Sequence, residues 1–138
     1  MNLFTNNRAV CVIGFYPYPE TTSWNRPLTE GRFRALHFTY GVNIRLIKSP
    51  DEIMFSTEIT YVAVEQKNKY SIPLSEFIHS DRAAYIVGNS TYQFPSFWCD
   101  VNSRVHIDVP HMKAPLYGDQ AAVIILNDRY YKDESRLQ

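Results

Sequence analysis

The sequence predicts an α/β fold built on a largely parallel sheet. Short apolar runs rich in β-branched residues recur along the chain, and segments with helical or irregular patterns separate them. The chain has 138 residues, of which 45% are hydrophobic, so it is long enough to bury a sizeable core without a disulfide or metal staple. We therefore expect one domain spanning residues 1–138.

Five segments are predicted to be strands: residues 9–15, 42–47, 59–64, 83–88 and 105–110. The first is apolar throughout, which is typical of a strand buried on both faces. Cys11 lies inside it, so we expect this thiol to be buried rather than part of a disulfide framework. Pro17 ends the strand because proline cannot continue a central ladder.

Helices are predicted between the strands. In residues 28–40 the apolar side chains recur every three or four positions, and Gly41 follows as a C-terminal cap. Pro50 and the acidic residues after it indicate a helix start. Short helices are expected over residues 71–78 and 94–101. The last helix is expected to begin near Pro115 or Asp119 and to run to about Tyr131.

Composition excludes several classes of protein. Ten Tyr, eight Phe and two Trp are too many large apolar groups for a disordered chain, and no apolar run is long enough for a membrane span. The 14 basic and 14 acidic residues cancel, which excludes a generally basic nucleic-acid coat. No signal peptide is recognisable, so a cytoplasmic location is expected. Residues 1–50 carry six basic and two acidic groups, which indicates either an anionic partner or a solvated surface.

Three loops follow predicted strands at the edge where parallel sheets bind ligands. After the fourth strand, Gly88 would let a ligand approach the backbone, and Asn89 and Ser90 would supply polar groups; the alternative is a plain strand-to-helix turn. After the fifth strand, His111 is either a general base or a surface residue. The loop after the first strand and the helix that follows it contain possible phosphate-binding and base-stacking residues, namely Arg26, Arg32, Arg34 and Trp24.

The sequence lacks the motifs of several other common catalytic and binding sites. The sequence has no nucleophile elbow, no P-loop and no dinucleotide-binding glycine motif. His106 and His111 lack partners at metal-ligand spacing, so no metal site is predicted. Cys99 follows two aromatic residues, a setting that favours packing over reactivity.

The order of these loops resembles that of the SpoU branch of the SPOUT methyltransferases over about residues 8–132. The family's first motif is matched by Gly31, Arg34 and Gly41, with Arg32 as a rival to Arg34. Its second motif is matched by Gly88-Asn89-Ser90, although the family has glutamate at the Ser90 position. Its third motif is matched by residues 109–111 and the apolar helix after Leu116. In that motif Pro115 and Tyr117 stand where the family has serine and asparagine.

The resemblance implies a five- to six-stranded sheet with helices on both faces and a C-terminal trefoil knot. It also implies S-adenosylmethionine as cofactor, RNA (tRNA or rRNA) as substrate, methylation at the ribose 2′-oxygen, and a homodimer without membrane or metal. The catalytic residues would be Arg34, Tyr117 and Asp119, and the RNA-binding residues Arg26, Arg32 and Trp24. The cofactor would contact Val87, Gly88, Asn89, Ser90, Val109, His111, Leu116 and Ala121.

Two alternatives stay open at this point. The departures at Ser90, Pro115 and Tyr117 favour a catalytically degenerate member that keeps the fold and the dimer but binds RNA, a small ligand or a protein partner without chemistry. A bulky Tyr117 would then fill the cofactor pocket. The other alternative is an ordinary doubly wound α/β domain with open topology and no knot.

Overall fold

The structure, a computed structural model, describes residues 10–16, 25–88, 102–107 and 116–137, with only the backbone given for residues 25–26 and 134–137. Six described strands form one sheet in the order β2-β1-β5-β3-β6-β4, and every neighbouring pair is parallel. The strands are β1 (Val10–Phe15), β2 (Asn43–Ile47), β3 (Thr60–Glu65), β4 (Ile72–Pro73), β5 (Ala83–Val87) and β6 (Ser103–His106). The predicted α/β fold with a parallel sheet is confirmed.

Two α-helices are described, α1 (Asn25–Tyr40) and α2 (Gly118–Leu137). The first begins three residues before the predicted Leu28. It ends as predicted, since Gly41 has a φ of 71° and its N–H donates to the carbonyl oxygen of His37 at 2.8 Å. The second begins next to the predicted Asp119 and continues past the predicted end at Tyr131.

The prediction of a helix over residues 71–78 is wrong. Ile72 and Pro73 instead form the edge strand β4, and a single 3-10 turn follows at Leu74–Glu76. Proline disfavours helical conformation in the residue before it, and an edge strand tolerates its missing N–H. The helix start at Pro50 is present but extends only over one 3-10 turn, Pro50–Glu52. The helix predicted over residues 94–101 lies outside the described residues.

Both α-helices lie against the same face of the sheet, called here the helical face. Phe33 and Leu36 of α1 and Ile125 and Leu126 of α2 are buried there. The side chains of the sheet and its margins that complete this core are Val10, Val12, Val42, Val62, Val64, Phe77, Ala83, Tyr85, Val87 and Val105. This packing brings the beginnings of both helices to the carboxyl edge of the sheet, where β1 and β5 end.

The opposite face of the sheet carries a second apolar cluster that includes Ile13, Phe15 and Ile86. Ile53 and Phe55, from the segment between β2 and β3, cover it. Cys11 also lies in this cluster and is fully buried, as predicted. Burial raises the pKa of the Cys11 thiol to about 12, so it remains protonated and unreactive at neutral pH.

The segments that would form the predicted knot, residues 89–101 and 108–115, lie outside the described residues, so the knot stays a prediction. Cys99 also lies outside them. No helix within the described part of the chain is long and apolar enough to cross a membrane.

A buried polar cluster joins α2 to the amino end of β5. The Arg129 side chain is almost completely enclosed, with 2% of the residue exposed. Its Nη1 donates to the hydroxyl of Tyr85 at 3.0 Å and to the carbonyl oxygen of Ser80 at 2.6 Å, and its Nη2 donates to the carbonyl oxygen of Asp81 at 3.1 Å. These three bonds compensate the guanidinium for its lost hydration and fix the distal half of α2 over the sheet.

His79 extends this cluster to the surface. Burial raises the pKa of Tyr85 to about 12, so the phenol keeps its hydrogen. Its oxygen accepts from Arg129, and its hydrogen is donated to Nδ1 of His79 at 2.6 Å. Nε2 of His79 then donates to Asp128 at 2.7 Å. The imidazole is therefore held neutral between a phenol and a carboxylate. Burial lowers the pKa of His79, and its bond to Asp128 opposes that effect.

Acidification is expected to destabilise the fold through His79. Its pKa is lowered from the ordinary value of 6.5, so the unfolded chain binds this proton more tightly than the folded chain does. The stabilisation from the neutral ring is complete above the ordinary pKa and is lost as the pH falls through the lower folded-state pKa. Urea titrations at about pH 7.5 and about pH 5.5 measure the loss. His79→Gln is expected to shrink the difference between the two pH values; an undiminished difference would contradict this role.

Candidate active site

Three chain segments meet at the carboxyl edge of the sheet: the beginnings of α1 and α2 and the residue after β5. Ligands of parallel α/β proteins bind at this edge. Gly118, the first residue of α2, packs against the carbonyl oxygen of Gly88, which follows β5. A β-carbon at Gly118 would collide with that oxygen and would lie 3.3 Å from Cζ of Phe33. We call this contact the glycine junction.

Phe33 connects the glycine junction to β1. A β-carbon at Gly14 of β1 would lie only 2.5 Å from Cζ of Phe33, so the ring fills the space that two glycines leave open. Because Gly14 and Gly118 have no side chains, the Phe33 ring of α1 fits between β1 and the beginning of α2. The space beside both glycines is therefore occupied by the Phe33 ring and, at Gly118, by the carbonyl oxygen of Gly88.

Arg32 and Tyr117 lie beside the glycine junction. Tyr117 immediately precedes α2, and its N–H donates to Oε1 of Gln120 at 2.9 Å, which satisfies one of the free donors at the helix beginning. Tyr117 is 47% exposed, and Cζ of Arg32 lies 5.5 Å from the centre of its ring. This cation–π contact places a guanidinium and an aromatic face together at the edge.

Arg34 does not share that position. Residues two apart on a helix lie about 200° apart around its axis, so Arg34 is on the other flank of α1 from Arg32. It is exposed, four residues after Glu30, whose carboxylate accepts from the hydroxyl of Tyr16 at 3.1 Å. Of the two arginines matched to the family motif, the structure brings Arg32 to Tyr117.

The other described residues predicted for the site lie around the glycine junction. Val87 is fully buried at the end of β5, and Ala121 is buried in the first turns of α2. Leu116 packs against the core of the helical face. Asp119 is half-buried at the beginning of α2, where the helix dipole favours a negative charge.

Five residues predicted for the site lie outside the described residues: Trp24, Asn89, Ser90, Val109 and His111. Arg26 lies within α1, but its side chain is not described. Their roles stay predictions. Within the described part of the chain, no group of three or more His, Cys, Asp or Glu side chains is arranged to hold a metal ion.

Sequence reasoning missed a second polar cluster at the same edge. His106, the last residue of β6, has its Nδ1 2.8 Å from Oγ of Ser71. Beside it, Arg104 pairs with the carboxylate of Glu65 at 3.3 Å, and both side chains are largely buried. The only sequence signal for this cluster is that polar residues stand at the ends of strands. Polar residues at strand ends are usually just solvated, so this signal does not reveal which of them contact each other.

Comparison with known proteins shows similarity in structure only. No protein-family model and no curated protein matches the sequence. Among the solved structures that resemble the chain are two of the SpoU methyltransferase AviRb from Streptomyces viridochromogenes, one of them in complex with the cofactor AdoMet. Identity is 14% in both, the TM-scores are 0.63 and 0.65, and the matches cover 94% and 96% of this chain.

The matches take in 62% and 64% of the AviRb chains, so this chain spans just under two thirds of their length. At 14% identity the similarity concerns the fold. The chain has a SpoU methyltransferase-like α/β fold, as the order of its motifs implied.

Replacing Gly118 by alanine is expected to lower the free energy of unfolding by about 1–3 kcal/mol, because the added methyl group meets the Gly88 carbonyl oxygen. Gly31→Ala is the matched control. It is a glycine within α1 with nothing within 4 Å of the added carbon, so the change is expected to stabilise by about 0.5–1 kcal/mol. Urea denaturation of the two variants measures both effects. Equal stability of the two variants would show that the glycine junction is not tight.

Proposed function

We propose that this chain is an S-adenosylmethionine-dependent RNA methyltransferase that acts at a ribose 2′-oxygen of tRNA or rRNA. The observation that carries the proposal is the glycine junction at the carboxyl edge, in a fold like that of a SpoU methyltransferase whose structure was determined with AdoMet. We propose that residues 1–138 form the catalytic domain.

The residues at the edge fit such a cofactor. Because Gly118 has no side chain, the beginning of α2 lies directly against the carbonyl of Gly88, and we propose that the cofactor binds beside this meeting point of the two ends. We assign the cofactor contacts to Val87, Gly88, Asn89, Ser90, Val109, His111, Leu116 and Ala121. When bound, S-adenosylmethionine supplies an electrophilic methyl group, and the protein's contribution is to hold the acceptor oxygen in line with it.

We assign the RNA contact nearest the cofactor to Arg32 and Tyr117. A guanidinium binds phosphate oxygens in a bidentate manner, and a half-exposed tyrosine ring offers a face on which a base can stack. Their mutual contact at 5.5 Å holds both groups in place before RNA arrives, which lowers the entropic cost of binding.

The remaining assignments depend on charge. A guanidinium is a strong hydrogen-bond donor and a poor base, so Arg34 positions phosphate or stabilises negative charge rather than removing a proton. Its exposure on the flank of α1 away from Tyr117 supports an RNA contact outside the nucleotide pocket, together with Arg26 and Trp24. Asp119, at the beginning of α2, is the nearest described carboxylate to Tyr117 in sequence and is proposed as the polar group of the third motif.

A homodimer is proposed because α1 and α2 expose aromatic side chains side by side. Tyr40 of α1 and Tyr130 of α2 stack with ring centres 6.1 Å apart, which aligns the outer faces of the two helices. Tyr131, next to Tyr130 on α2, is 73% exposed, and Phe38, on the other flank of α1 from Tyr40, is 78% exposed. Large exposed aromatic groups on adjacent helices are typical of protein–protein contacts.

One observation favours the second candidate function, a degenerate fold that binds RNA without catalysis. Tyr117 stands where the family has asparagine, and its ring is already engaged by Arg32 at the candidate site. A ring held there reduces the room for a methyl donor. In this case RNA would still bind, but no methyl group would be transferred.

Calorimetry with S-adenosylhomocysteine and transfer of radiolabelled methyl from S-adenosylmethionine to RNA test the two functions. We expect calorimetry to show one S-adenosylhomocysteine site per chain, and we expect the transfer assay to give radiolabelled RNA. Binding of RNA without label and without cofactor affinity would support the degenerate alternative.

Arg32→Ala is expected to reduce RNA affinity about tenfold to a hundredfold, the usual cost of losing a charged hydrogen bond. Arg34→Ala is expected to have a smaller effect, because Arg34 lies on the opposite flank of α1 from Tyr117. Filter binding at one fixed salt concentration measures both variants. A larger loss for Arg34→Ala would reverse the assignment of the two arginines.

A further inference from the structure

The loop between β3 and β4, residues 66–70, begins at the same edge of the sheet as the glycine junction. Val64 of β3 is level with Val87 of β5. Glu65 and Gly88 are each one residue further along, so they stand side by side at the edge, about 5 Å apart across one strand spacing. The loop then leads to the edge strand β4, which pairs with the end of β6. It therefore extends from the neighbourhood of Gly88 toward the outer end of the sheet.

This loop, called here the basic loop, presents positive charge beside an aromatic ring. Two of its residues are lysines, Lys67 and Lys69, and none is acidic. Both lysines are exposed, and Tyr70 is 56% exposed. Nζ of Lys69 lies 5.0 Å from the centre of the Tyr70 ring. A cation and an aromatic face thus stand together here, as Arg32 and Tyr117 do beside the glycine junction.

The carboxylate that immediately precedes the basic loop is already neutralised. Glu65, the last residue of β3, pairs with Arg104 of β6 at 3.3 Å, and their side chains are only 6% and 11% exposed. Nδ2 of Asn68 also donates to the Glu65 carboxylate at 2.8 Å. Because the buried pair is neutral overall, the two exposed lysines leave the basic loop positively charged and attractive to anions.

Hydrogen bonds of two residues fix the shape of the basic loop. Oδ1 of Asn68 accepts from the N–H of Tyr70 at 2.8 Å, and its Nδ2 donates to the carbonyl oxygen of Gln66 at 3.0 Å. Oγ of Ser71 accepts from the N–H of Asn68 at 3.0 Å, and the N–H of Ser71 donates to the carbonyl oxygen of Asn68 at 3.3 Å. The backbone is thus ordered before any partner binds, which lowers the entropic cost of binding.

A nucleic-acid strand fits this surface. Exposed ammonium groups bind phosphate oxygens, and the face of a half-exposed tyrosine ring accepts a stacked base. The edge carries two such combinations of cation and ring, one beside the glycine junction and one beyond β3. Each suits one nucleotide of a strand that runs along the edge of the sheet.

We infer that the basic loop is a second RNA-contact surface, on which Lys67 and Lys69 bind phosphates of nucleotides flanking the target and Tyr70 stacks on one of their bases. This inference rests on the proposed function and extends it, because it gives the direction in which the RNA leaves the cofactor site, across β3 toward β4. Phosphate contacts of this kind position the RNA without reading its sequence.

Removing single charges from the basic loop tests the inference. Lys67→Gln and Lys69→Gln are each expected to weaken RNA binding about threefold to tenfold and to reduce the slope of log affinity against log salt concentration by about 1. Tyr70→Ala is expected to weaken binding about fivefold or more, whereas Tyr70→Phe keeps the ring and should bind like the wild type. Filter binding of bulk tRNA and of bulk rRNA over a series of salt concentrations measures these effects.

Thr57→Glu is the charge-matched control for either lysine variant. It lowers the net charge by one, as Lys69→Gln does, but Thr57 is exposed before β3, at the amino edge of the sheet. It should leave RNA affinity and the salt slope unchanged. Calorimetry with S-adenosylhomocysteine should give one affinity for the wild type and all variants, since the basic loop is separate from the cofactor site. Thermal unfolding verifies that each variant is folded.

The outcomes separate the inference from the proposed function. If the wild type binds RNA and both lysine variants bind equally tightly, the inference is overturned while the proposed function stands. The same holds if Thr57→Glu weakens binding as much as they do, because net charge alone then explains the loss. If the wild type binds neither RNA, both fall.

Acetylation of the wild-type protein tests the inference without any variant. Bound RNA should protect the amino groups of Lys67 and Lys69 from an acetylating reagent, and mass spectrometry of the digested chain measures this. Lys132 is the internal reference, because its amino group is bonded to the carbonyl oxygens of Leu74 and Phe77 and should react to the same extent with and without RNA. Equal acetylation of Lys67 and Lys69 with and without saturating RNA would overturn the inference.

Discussion

The close approach of α2 to the end of β5 is the constraint on which the candidate site depends. Gly118 reaches the Gly88 carbonyl oxygen only because it has no side chain, and Phe33 fills the remaining space. This contact sets where α2 begins, and Tyr117 precedes that point by one residue. The same ring of Phe33 fixes the rotation of α1, which turns Arg32 toward Tyr117 and Arg34 away from it. The packing of Phe33 against Gly118 thus determines that Arg32, and not Arg34, lies beside the candidate ligand pocket.

The opposite end of α2 is held by different physics. Arg129 donates a hydrogen bond to Tyr85 in an enclosed space, and His79 connects them to Asp128 at the surface. Such bonds are directional, so they specify one position of the helix, whereas the apolar contacts of Ile125 and Leu126 tolerate sliding. The helix is therefore fixed by packing geometry near the ligand edge and by hydrogen bonding at the far edge.

Local signals in the sequence predicted most of the fold. The apolar run of β5 and the glycine after α1 depend on nearby residues alone, and both are confirmed. The helix predicted around Pro73 is wrong for two reasons. Proline disfavours helical conformation in the residue before it, and the segment pairs with β6, which lies thirty residues further along. Partners distant in the chain, such as Tyr85 for Arg129 and Ser71 for His106, leave no local signal. Helix phase predicts that Arg32 and Arg34 diverge, but only tertiary packing selects the one that meets Tyr117.

The polar cluster around Arg129 has a consequence for how this protein tolerates sequence change. It lies at the amino edge of the sheet, whereas the residues assigned to ligand binding lie at the carboxyl edge. Substitutions in the loops at the carboxyl edge therefore leave the hydrogen bonds that hold the distal half of α2 intact. Directed evolution of the chain should accordingly randomise the loops after β5 and β6 and keep residues 79, 85 and 129 constant.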